Sequence, residues 1–259
     1  MTGLSHNDPK ETKLDLRATA VVKTFPAAPS GDNTFKLGPV DLDLAPGTCL
    51  AVIGPNGSGK STLFQILTGN IRPSSGSVTL AGAPVAAVRK DFGYLPQHNL
   101  LPPWATAREL CLYASGMLTG DALHAANALA YWDCTAFAQR PVGMLSAGMR
   151  KRVGLAVATL HDPSVLVMDE PFEALDLGHI AALRQEIQRR TESGRITIFA
   201  THIAGYAADL ATAAFFLHNG SGQMMPWPAA RHQREEILES RFAQVAPPPR
   251  SLLHPARVQ

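Results

Sequence analysis

The most informative motif of this chain is Gly54-Pro55-Asn56-Gly57-Ser58-Gly59-Lys60-Ser61. It satisfies the pattern G-x-x-x-x-G-K-[ST] and lies between an apolar run at 48–53, typical of a buried strand, and a segment at 61–68 that predicts a helix. Glycines let backbone N–H groups converge on phosphate oxygens, and a helix start adds partial positive charge. The stretch therefore predicts a loop that binds a triphosphate rather than a turn that binds nothing.

The end of this loop carries two side chains with predicted roles. We expect Lys60 to reach the β- and γ-phosphates and the Ser61 hydroxyl to be a ligand of Mg²⁺. The predicted nucleotide-binding residues of the region are Gly54, Pro55, Asn56, Gly57, Ser58, Gly59, Lys60, Ser61 and Thr62. By itself, such a loop does not distinguish kinases, GTPases, helicases and transport ATPases.

Two adjacent carboxylates, Asp169 and Glu170, follow a second apolar run at 165–168. A parallel sheet presents its ligands at the carboxyl ends of its strands. We expect Asp169 to hold Mg²⁺ through its water shell and Glu170 to polarise the attacking water. An acidic turn at the end of a strand is the structural alternative, and the phosphate loop favours the functional interpretation.

The remaining patterns predict an α/β fold. Apolar strands at 48–53, 165–168 and 195–200 alternate with helical sequence, which indicates a mainly parallel sheet. Segments 18–23 and 35–44 are expected to pair as an antiparallel β edge.

The chain also divides by composition. We predict a flexible leader at 1–16, a main domain at 17–226 and a tail at 227–259 that combines a helix at 231–242 with a proline-rich end. Within the main domain, an Ala- and Leu-rich helical insert at 98–155 separates core segments 17–97 and 156–226.

The composition of the chain argues against several classes of protein. The 259 residues carry a formal net charge of +2, without the strongly basic balance typical of nucleic-acid binding. Cys49, Cys111 and Cys134 are far apart, which argues against disulfides and zinc sites and favours a reducing compartment. The first residues lack the apolar core of a signal peptide. The late apolar stretch at 196–217 contains His202 and Asp209 and fails as a membrane span.

A third motif, Leu145-Ser146-Ala147-Gly148-Met149, precedes a helical pattern just before the acidic strand. Here the chain resembles the ATP-binding cassette (ABC) ATPases, whose signature is LSGGQ. A serine and small residues that open a helix form a second anion site, although the same residues also make an ordinary helix cap. The resemblance implies that Ser146, Ala147 and Gly148 cover the ATP held by a second subunit. Met149 replaces the usual glutamine, which puts a contact on the ribose side in doubt.

Four further positions match motifs of the family. The resemblance makes Gln97 a sensor of Mg²⁺ and the γ-phosphate, Asp176 part of the loop that joins the two sites of a dimer, and His202 the switch histidine that contacts the γ-phosphate. It makes Phe25 the aromatic residue that stacks on adenine, with local packing as the alternative. The resemblance covers approximately residues 18–225.

The resemblance implies a P-loop NTPase (RecA-like) core with an inserted α-helical subdomain, which binds ATP and Mg²⁺. It implies a homodimer or paired cassette that works with integral membrane permease subunits. The catalytic residues would be Glu170, His202, Gln97 and Lys60, and the metal ligands Ser61, Gln97 and Asp169. We expect the insert at 100–110, with Trp104, to receive the permease, with a local hydrophobic core as the alternative.

The same resemblance suggests a cytoplasmic protein, peripheral on the inner face of the plasma membrane. A single short cassette without a large regulatory domain favours export. A soluble ABC ATPase that acts on ribosomes or DNA is the main alternative, but such proteins carry two cassettes or long coiled coils. A nucleotide-binding regulator without turnover and a P-loop metabolite kinase are further alternatives.

Overall fold

The computed structural model describes residues 14–25, 35–98 and 101–245. Its strands are β1 (Leu16–Thr24), β2 (Lys36–Leu44), β3 (Cys49–Ile53), β4 (Ser75–Leu80), β5 (Ala83–Pro84), β6 (Phe92–Leu95), β7 (Val165–Asp169), β8 (Ile196–Ala200), β9 (Ala213–His218) and β10 (Ser221–Met224). Its α-helices are α1 (Lys60–Leu67), α2 (Ala107–Leu118), α3 (Ala122–Tyr131), α4 (Ala147–Thr159), α5 (Leu177–Glu192), α6 (Ala204–Leu210) and α7 (Arg231–Val245).

A six-stranded sheet in the order β10-β9-β3-β8-β7-β6 forms the centre of the molecule. All its strand pairs are parallel except β9 with β10. The parallel α/β core predicted from the sequence is therefore confirmed. Because β3, β7 and β8 run in the same direction, the residues that follow each of them meet at one edge of the sheet.

Strand β3 separates two hydrophobic clusters. Cys49, Ala51 and Ile53 belong to the cluster that includes the helical region, whereas Leu50 and Val52 belong to the cluster under the second sheet. This alternation follows from the period of two residues in a strand. Every residue of β3 is buried, as the continuous apolar run predicts.

The second sheet has four antiparallel strands in the order β2-β1-β4-β5. The predicted pairing of β1 with β2 is confirmed, with Leu16 opposite Leu44 and Thr24 opposite Lys36. Residues 26–34, between these two strands, lie outside the described residues.

A turn at the end of β9 joins both sheets to the phosphate loop. Asn219 and Gly220 have φ angles of 48° and 75°, as a tight two-residue hairpin turn requires. The Gly220 N–H donates to the Ser58 carbonyl at 3.0 Å, and the Gly220 carbonyl accepts from the Gly38 N–H at 2.7 Å. This turn thus connects β2 with the loop that follows β3.

Helices α2, α3 and α4 pack on one another, in agreement with the predicted helical insert. Thr106 begins α2 with a reciprocal cap, because its hydroxyl accepts from the Glu109 N–H while the Glu109 carboxylate accepts from the Thr106 N–H. The predicted end of the insert at residue 155 falls inside α4, which is continuous from Ala147 to Thr159. The boundary needs correction there, because the signature helix continues into the core.

Several strands were not predicted from the sequence. These strands are β4, β5, β6, β9 and β10. Strand β6 contains Gly93, where a Cβ would lie 2.1 Å from the Ala158 carbonyl oxygen. Close packing on α4 therefore explains why this position is a glycine, although glycine weakens the sequence pattern of a strand. Strand β9 lies in the late apolar stretch, which divides into β8, α6 and β9.

Helix α7 extends the predicted helix at 231–242 by three residues. It packs on α6, and Leu238 is completely buried in the core. The predicted tail region therefore contributes to the main hydrophobic cluster. Across the described ranges, no helix is both long and apolar enough to cross a membrane.

Candidate functional site

The phosphate loop connects β3 with α1 and folds back on its own lysine. The Lys60 ammonium donates to the carbonyl oxygens of Gly54 and Pro55 at 2.8 and 3.1 Å. Burial lowers the pKa of Lys60, and the nearby carboxylates of Glu170 and Asp169 oppose that shift. The loop therefore holds a buried cation at the carboxyl end of the central strand.

Glycine is required at two positions of this loop. A Cβ on Gly54 would lie 1.9 Å from the Leu217 carbonyl oxygen in β9. Gly59 has a φ of 110°, and a Cβ there would lie 2.9 Å from the Phe35 ring. Close backbone packing and a left-handed conformation thus explain two glycines of the motif.

Ser58 provides a test of whether the loop fits a phosphate. Its hydroxyl is buried, and it has no hydrogen-bond partner among the residues that the structure describes. A buried hydroxyl without a partner is uncommon, because leaving it unpaired costs free energy. An anion seated in the loop would satisfy it, so these residues fit a phosphate group.

Ser61 and Asp169 bring two predicted metal ligands into contact. The Ser61 hydroxyl donates to Asp169 Oδ2 at 2.5 Å. Burial raises the pKa of Asp169, while the Ser61 hydrogen bond and the charges of Lys60 and Lys151 oppose that increase. Gln97 lines the same cavity. Hydroxyl, carboxylate and amide oxygens are hard donors of the kind that Mg²⁺ prefers, so the donor set fits this ion.

Glu170 is held at the end of β7 in an uncommon backbone conformation. Its φ is 48°, a left-handed value for a residue with a side chain, and its N–H donates to the Ala200 carbonyl at 3.1 Å. Its carboxylate is buried and lies 3.1 Å from His202 Nδ1. Burial raises the pKa of Glu170, and the hydrogen bond with His202 opposes that shift. The two predicted catalytic side chains are therefore direct neighbours.

One cavity of about 450 Å³ joins the loop to the acidic pair. Its lining residues are Phe35, Asn56, Gly57, Gly59, Lys60, Ser61, Thr62, Gln97, His98, Asp169 and Glu170. Phe35 and His98 were not predicted as site residues, and His98 could have been suggested by its position beside Gln97. Phe25 is absent from this lining, and its ring centroid lies 6.4 Å from that of Phe35. The stacking role of Phe25 stays a prediction.

The signature residues lie elsewhere in the chain. The Ser146 hydroxyl caps α4 by accepting from the Met149 N–H at 3.2 Å, and Ala147 is the first residue of the helix. A Cβ on Gly148 would lie 2.4 Å from the Ala174 carbonyl oxygen, which explains the glycine at this position. The signature helix thus packs directly on the segment after Glu170.

Asp176 caps the next helix, α5. Its carboxylate accepts from the His179 N–H at 3.0 Å and lies 2.7 Å from His179 Nδ1. The backbone hydrogen bond from His179 lowers the pKa of Asp176. A second cavity of about 180 Å³ contains the signature and this segment, lined by Ser146, Gly148, Met149, Arg152, Ala174, Leu175, Asp176 and His179. None of these residues lines the first cavity.

The family model described as "ABC transporter" matches residues 37–173, about half of the chain. Among curated proteins, the chain is 36% identical over 204 residues to a taurine import ATP-binding protein TauB of Pseudomonas entomophila, covering 75% of this chain and 77% of that protein. A TauB of Burkholderia pseudomallei is 36% identical over 200 residues, which cover 74% of this chain and 75% of that protein. An uncharacterized ABC transporter ATP-binding protein, YxlF of Bacillus subtilis, is 34% identical over 178 residues, covering 66% of this chain and 59% of that protein.

Solved structures have the same fold. An ATP-binding subunit of an ABC transporter superposes with a TM-score of 0.74 at 23% identity and covers 86% of this chain and 99% of its own. A dimeric ATP-binding cassette in a post-hydrolysis state with ADP and phosphate superposes with a TM-score of 0.71 at 24% identity, covering 82% of this chain and 99% of its own. The chain therefore belongs to the ABC transporter family as an ATP-binding subunit, and it is an ATPase.

Proposed function

We propose that two copies of this chain close on two ATP molecules, hydrolyse them with Glu170, and drive import through separate membrane subunits. The single observation that carries the catalytic part is the meeting of Lys60, Ser61, Asp169 and Glu170 around one cavity of about 450 Å³. Such an arrangement binds the phosphates at one side and offers a carboxylate to the attacking water at the other.

The proposed role of each residue follows from its contacts. Lys60 and the loop N–H groups bind and orient the phosphates. The Ser58 hydroxyl, which has no partner among the described residues, donates a hydrogen bond to them. Ser61, Asp169 and Gln97 are the proposed holders of Mg²⁺, which neutralises phosphate charge when it is bound. Glu170 accepts a proton from water while His202, 3.1 Å away, orients its carboxylate and faces the γ-phosphate.

The separation of the two cavities supports a head-to-tail dimer. Ser146 and Gly148 line a cavity that shares no residue with the phosphate loop of the same chain. A helix start with free N–H groups favours an anion, and in this arrangement the anion is the ATP of the partner copy. Asp176 lines that second cavity, at the proposed contact between the two sites.

The membrane partner is proposed to dock on the surface around Trp104. This side chain is 78% exposed, and Met144 is also exposed. Their segments are neighbours, because the Gly143 N–H donates to the Pro103 carbonyl at 2.8 Å. Exposed large apolar side chains that adjoin one another favour a protein partner. Leu100, the first residue of the predicted docking segment, lies outside the described residues.

The direction of transport is the point on which the relatives change our expectation. Two of the relatives described above are named for taurine import, and none supports the export expected for a single short cassette without a large regulatory domain. We therefore propose import, from a position at the cytoplasmic face of the membrane. The relatives also do not favour the soluble alternative that acts on ribosomes or DNA.

Glu170→Gln is the test of the catalytic proposal. The amide keeps the size of the side chain but does not accept the proton, so we expect turnover to fall about 10²-fold or more while ATP stays bound and traps a dimer. Light scattering with ATP measures the dimer, and phosphate release measures turnover. Glu236→Gln is the matched control, since it removes the same charge from an exposed glutamate of α7 that lines neither cavity. Turnover near the original rate in Glu170→Gln would remove Glu170 from the proposed role.

Purification from native membranes tests the partner and the direction. We expect a multispan membrane protein, and not ribosomes or DNA, to accompany the chain. Loss of the gene should abolish uptake of the cargo, with taurine as the first compound to measure. Normal uptake together with accumulation of the cargo inside the cell would instead indicate export.

A further inference from the structure

We propose that Lys151 is a positioning residue for Glu170, a role that rests on the function proposed above. Lys151 belongs to the signature helix α4, five residues after Ser146. Its ammonium donates to the Glu170 carbonyl oxygen at 2.9 Å. No motif in the sequence indicates a role for this residue.

The environment of Lys151 is unusual for a lysine. Within the described ranges, Lys151 and Lys60 are the only buried lysines. Lysine is almost never fully buried unless it has a partner, because an unpaired buried charge is costly. The hydrogen bond to Glu170 accounts for the position of the Lys151 ammonium.

The partner of Lys151 is a strained backbone. Glu170 has a left-handed φ of 48°, which residues other than Gly, Asn and Asp rarely adopt. Its N–H is fixed by the Ala200 carbonyl and its carboxylate by His202. The remaining backbone group, the carbonyl, is the one that Lys151 holds. The three contacts together fix where the carboxylate points, and surrounding contacts of this kind are what allow a strained residue to persist.

The charge of Lys151 also suits this position. Burial lowers the pKa of Lys151, while the negative charges of Glu173, Asp169 and Glu170 oppose that shift and favour the charged form. One ammonium thus counters three acids at the end of β7. Because the same helix begins at Ser146, a shift of the signature helix when the partner's ATP is bound would move the group that holds Glu170.

Lys151→Met is the first test. The apolar side chain has nearly the same length and removes both the donor and the charge. We expect kcat for ATP hydrolysis to fall at least about tenfold, with KM for ATP within about threefold of the original, since the phosphate loop is untouched. Lys90→Met is the matched control on an exposed lysine and should change neither constant. A kcat within about twofold of the original in Lys151→Met overturns the proposal.

Lys151→Gln separates a positioning role from a merely structural one. The amide keeps a donor, so kcat should recover to within about threefold of the original. Thermal melting of each variant measures folding, and the Gln variant carries the test if the Met variant does not fold. A folded Lys151→Gln with the full loss of kcat overturns a role based on the hydrogen bond.

A double-variant cycle shows whether Lys151 acts through Glu170. In the Glu170→Gln background, Lys151→Met should lower the residual rate by less than about twofold, because the group that it positions is already gone. An equal tenfold loss in both backgrounds would mean that Lys151 acts elsewhere. Normal turnover in Glu170→Gln alone would instead contradict the proposed function, so the two failures are distinguishable.

Discussion

The Ser61 hydroxyl donates a hydrogen bond of 2.5 Å to Asp169 Oδ2, across 108 positions of sequence. The contact joins the phosphate loop to the carboxyl end of β7. Two oxygen atoms from distant segments thus meet at the point where the proposed Mg²⁺ is held.

Replacing Ser61 with alanine should weaken the response to Mg²⁺ rather than ATP binding in its absence. We expect the Mg²⁺ concentration for half-maximal turnover to rise about 10- to 100-fold, the range typical of lost contacts at metal sites. Titration of turnover with Mg²⁺ measures this change, and nucleotide affinity in EDTA is the reference. Ser61→Thr keeps the hydroxyl and should behave like the original chain. An unchanged Mg²⁺ requirement in Ser61→Ala would show that this hydroxyl is not a ligand.

Gly148 should be required for dimer formation and not for ATP binding. The Cβ in Gly148→Ala would lie 2.4 Å from the Ala174 carbonyl oxygen, so the signature helix must shift. We expect ATP binding to persist and turnover to fall by at least about tenfold, equivalent to about 1.4 kcal/mol. ATP-dependent dimer formation, measured by light scattering in the Glu170→Gln background, should be lost.

Gly116→Ala is the matched control for this change. Gly116 lies within α2, and a Cβ there meets nothing within 4 Å. We expect it to increase the free energy of unfolding by about 0.5–1 kcal/mol and leave turnover unchanged. A Gly148→Ala protein that dimerises normally would contradict the proposed role of the signature helix.

The pH dependence of turnover should reflect the raised pKa of the buried Glu170 carboxylate. Burial raises the pKa of Glu170, so the carboxylate becomes protonated at a higher pH than an ordinary glutamate. Turnover should therefore fall on the acid side with a midpoint above about 4.3, the usual value for this side chain. The negative charge of Glu173 adds to the increase, so Glu173→Gln should move the midpoint to lower pH. Single-turnover rates between pH 4 and pH 8 measure both, and a shift to higher pH would contradict the assignment.

The sequence predicted the parts of the site that are contiguous in the chain. The phosphate loop is a single motif between a strand and a helix, and local rules specify its place in the sheet. Ser61 and Asp169 were both predicted as Mg²⁺ ligands, and their contact in the structure is consistent with the direction of the parallel strands. The function of the second motif required the family resemblance, because Ser146 alone is an ordinary helix cap.

Other features depend on contacts that no local pattern records. Strand β6 has only four residues and includes Gly93, which fits because α4 passes directly over it. Lys151 is one member of a basic run in the sequence. Only the packing of α4 on β6 and on the segment after Glu170 directs its ammonium towards the Glu170 carbonyl. Phe35 was interpreted as the start of a strand, and its position on the cavity follows from the approach of β2 to Gly59.

The last described helix should be required for stability. Leu238 is completely buried, so Leu238→Ala should lower the free energy of unfolding by about 2–5 kcal/mol. Denaturant unfolding measures this loss. Leu177→Ala, at a leucine that is 85% exposed, is the control and should change stability by less than about 0.5 kcal/mol. Equal effects of the two changes would indicate that α7 is a dispensable tail.

The hairpin turn at Asn219 and Gly220 limits how this protein can be engineered. Short surface turns between two strands are the usual places for inserted epitopes, labels or fused domains. Here a Cβ on Gly220 would lie 1.9 Å from the Lys36 carbonyl oxygen, and the Gly220 N–H supports Ser58. A tag inserted at this turn would therefore deform the phosphate loop from behind, although neither Asn219 nor Gly220 lines the cavity.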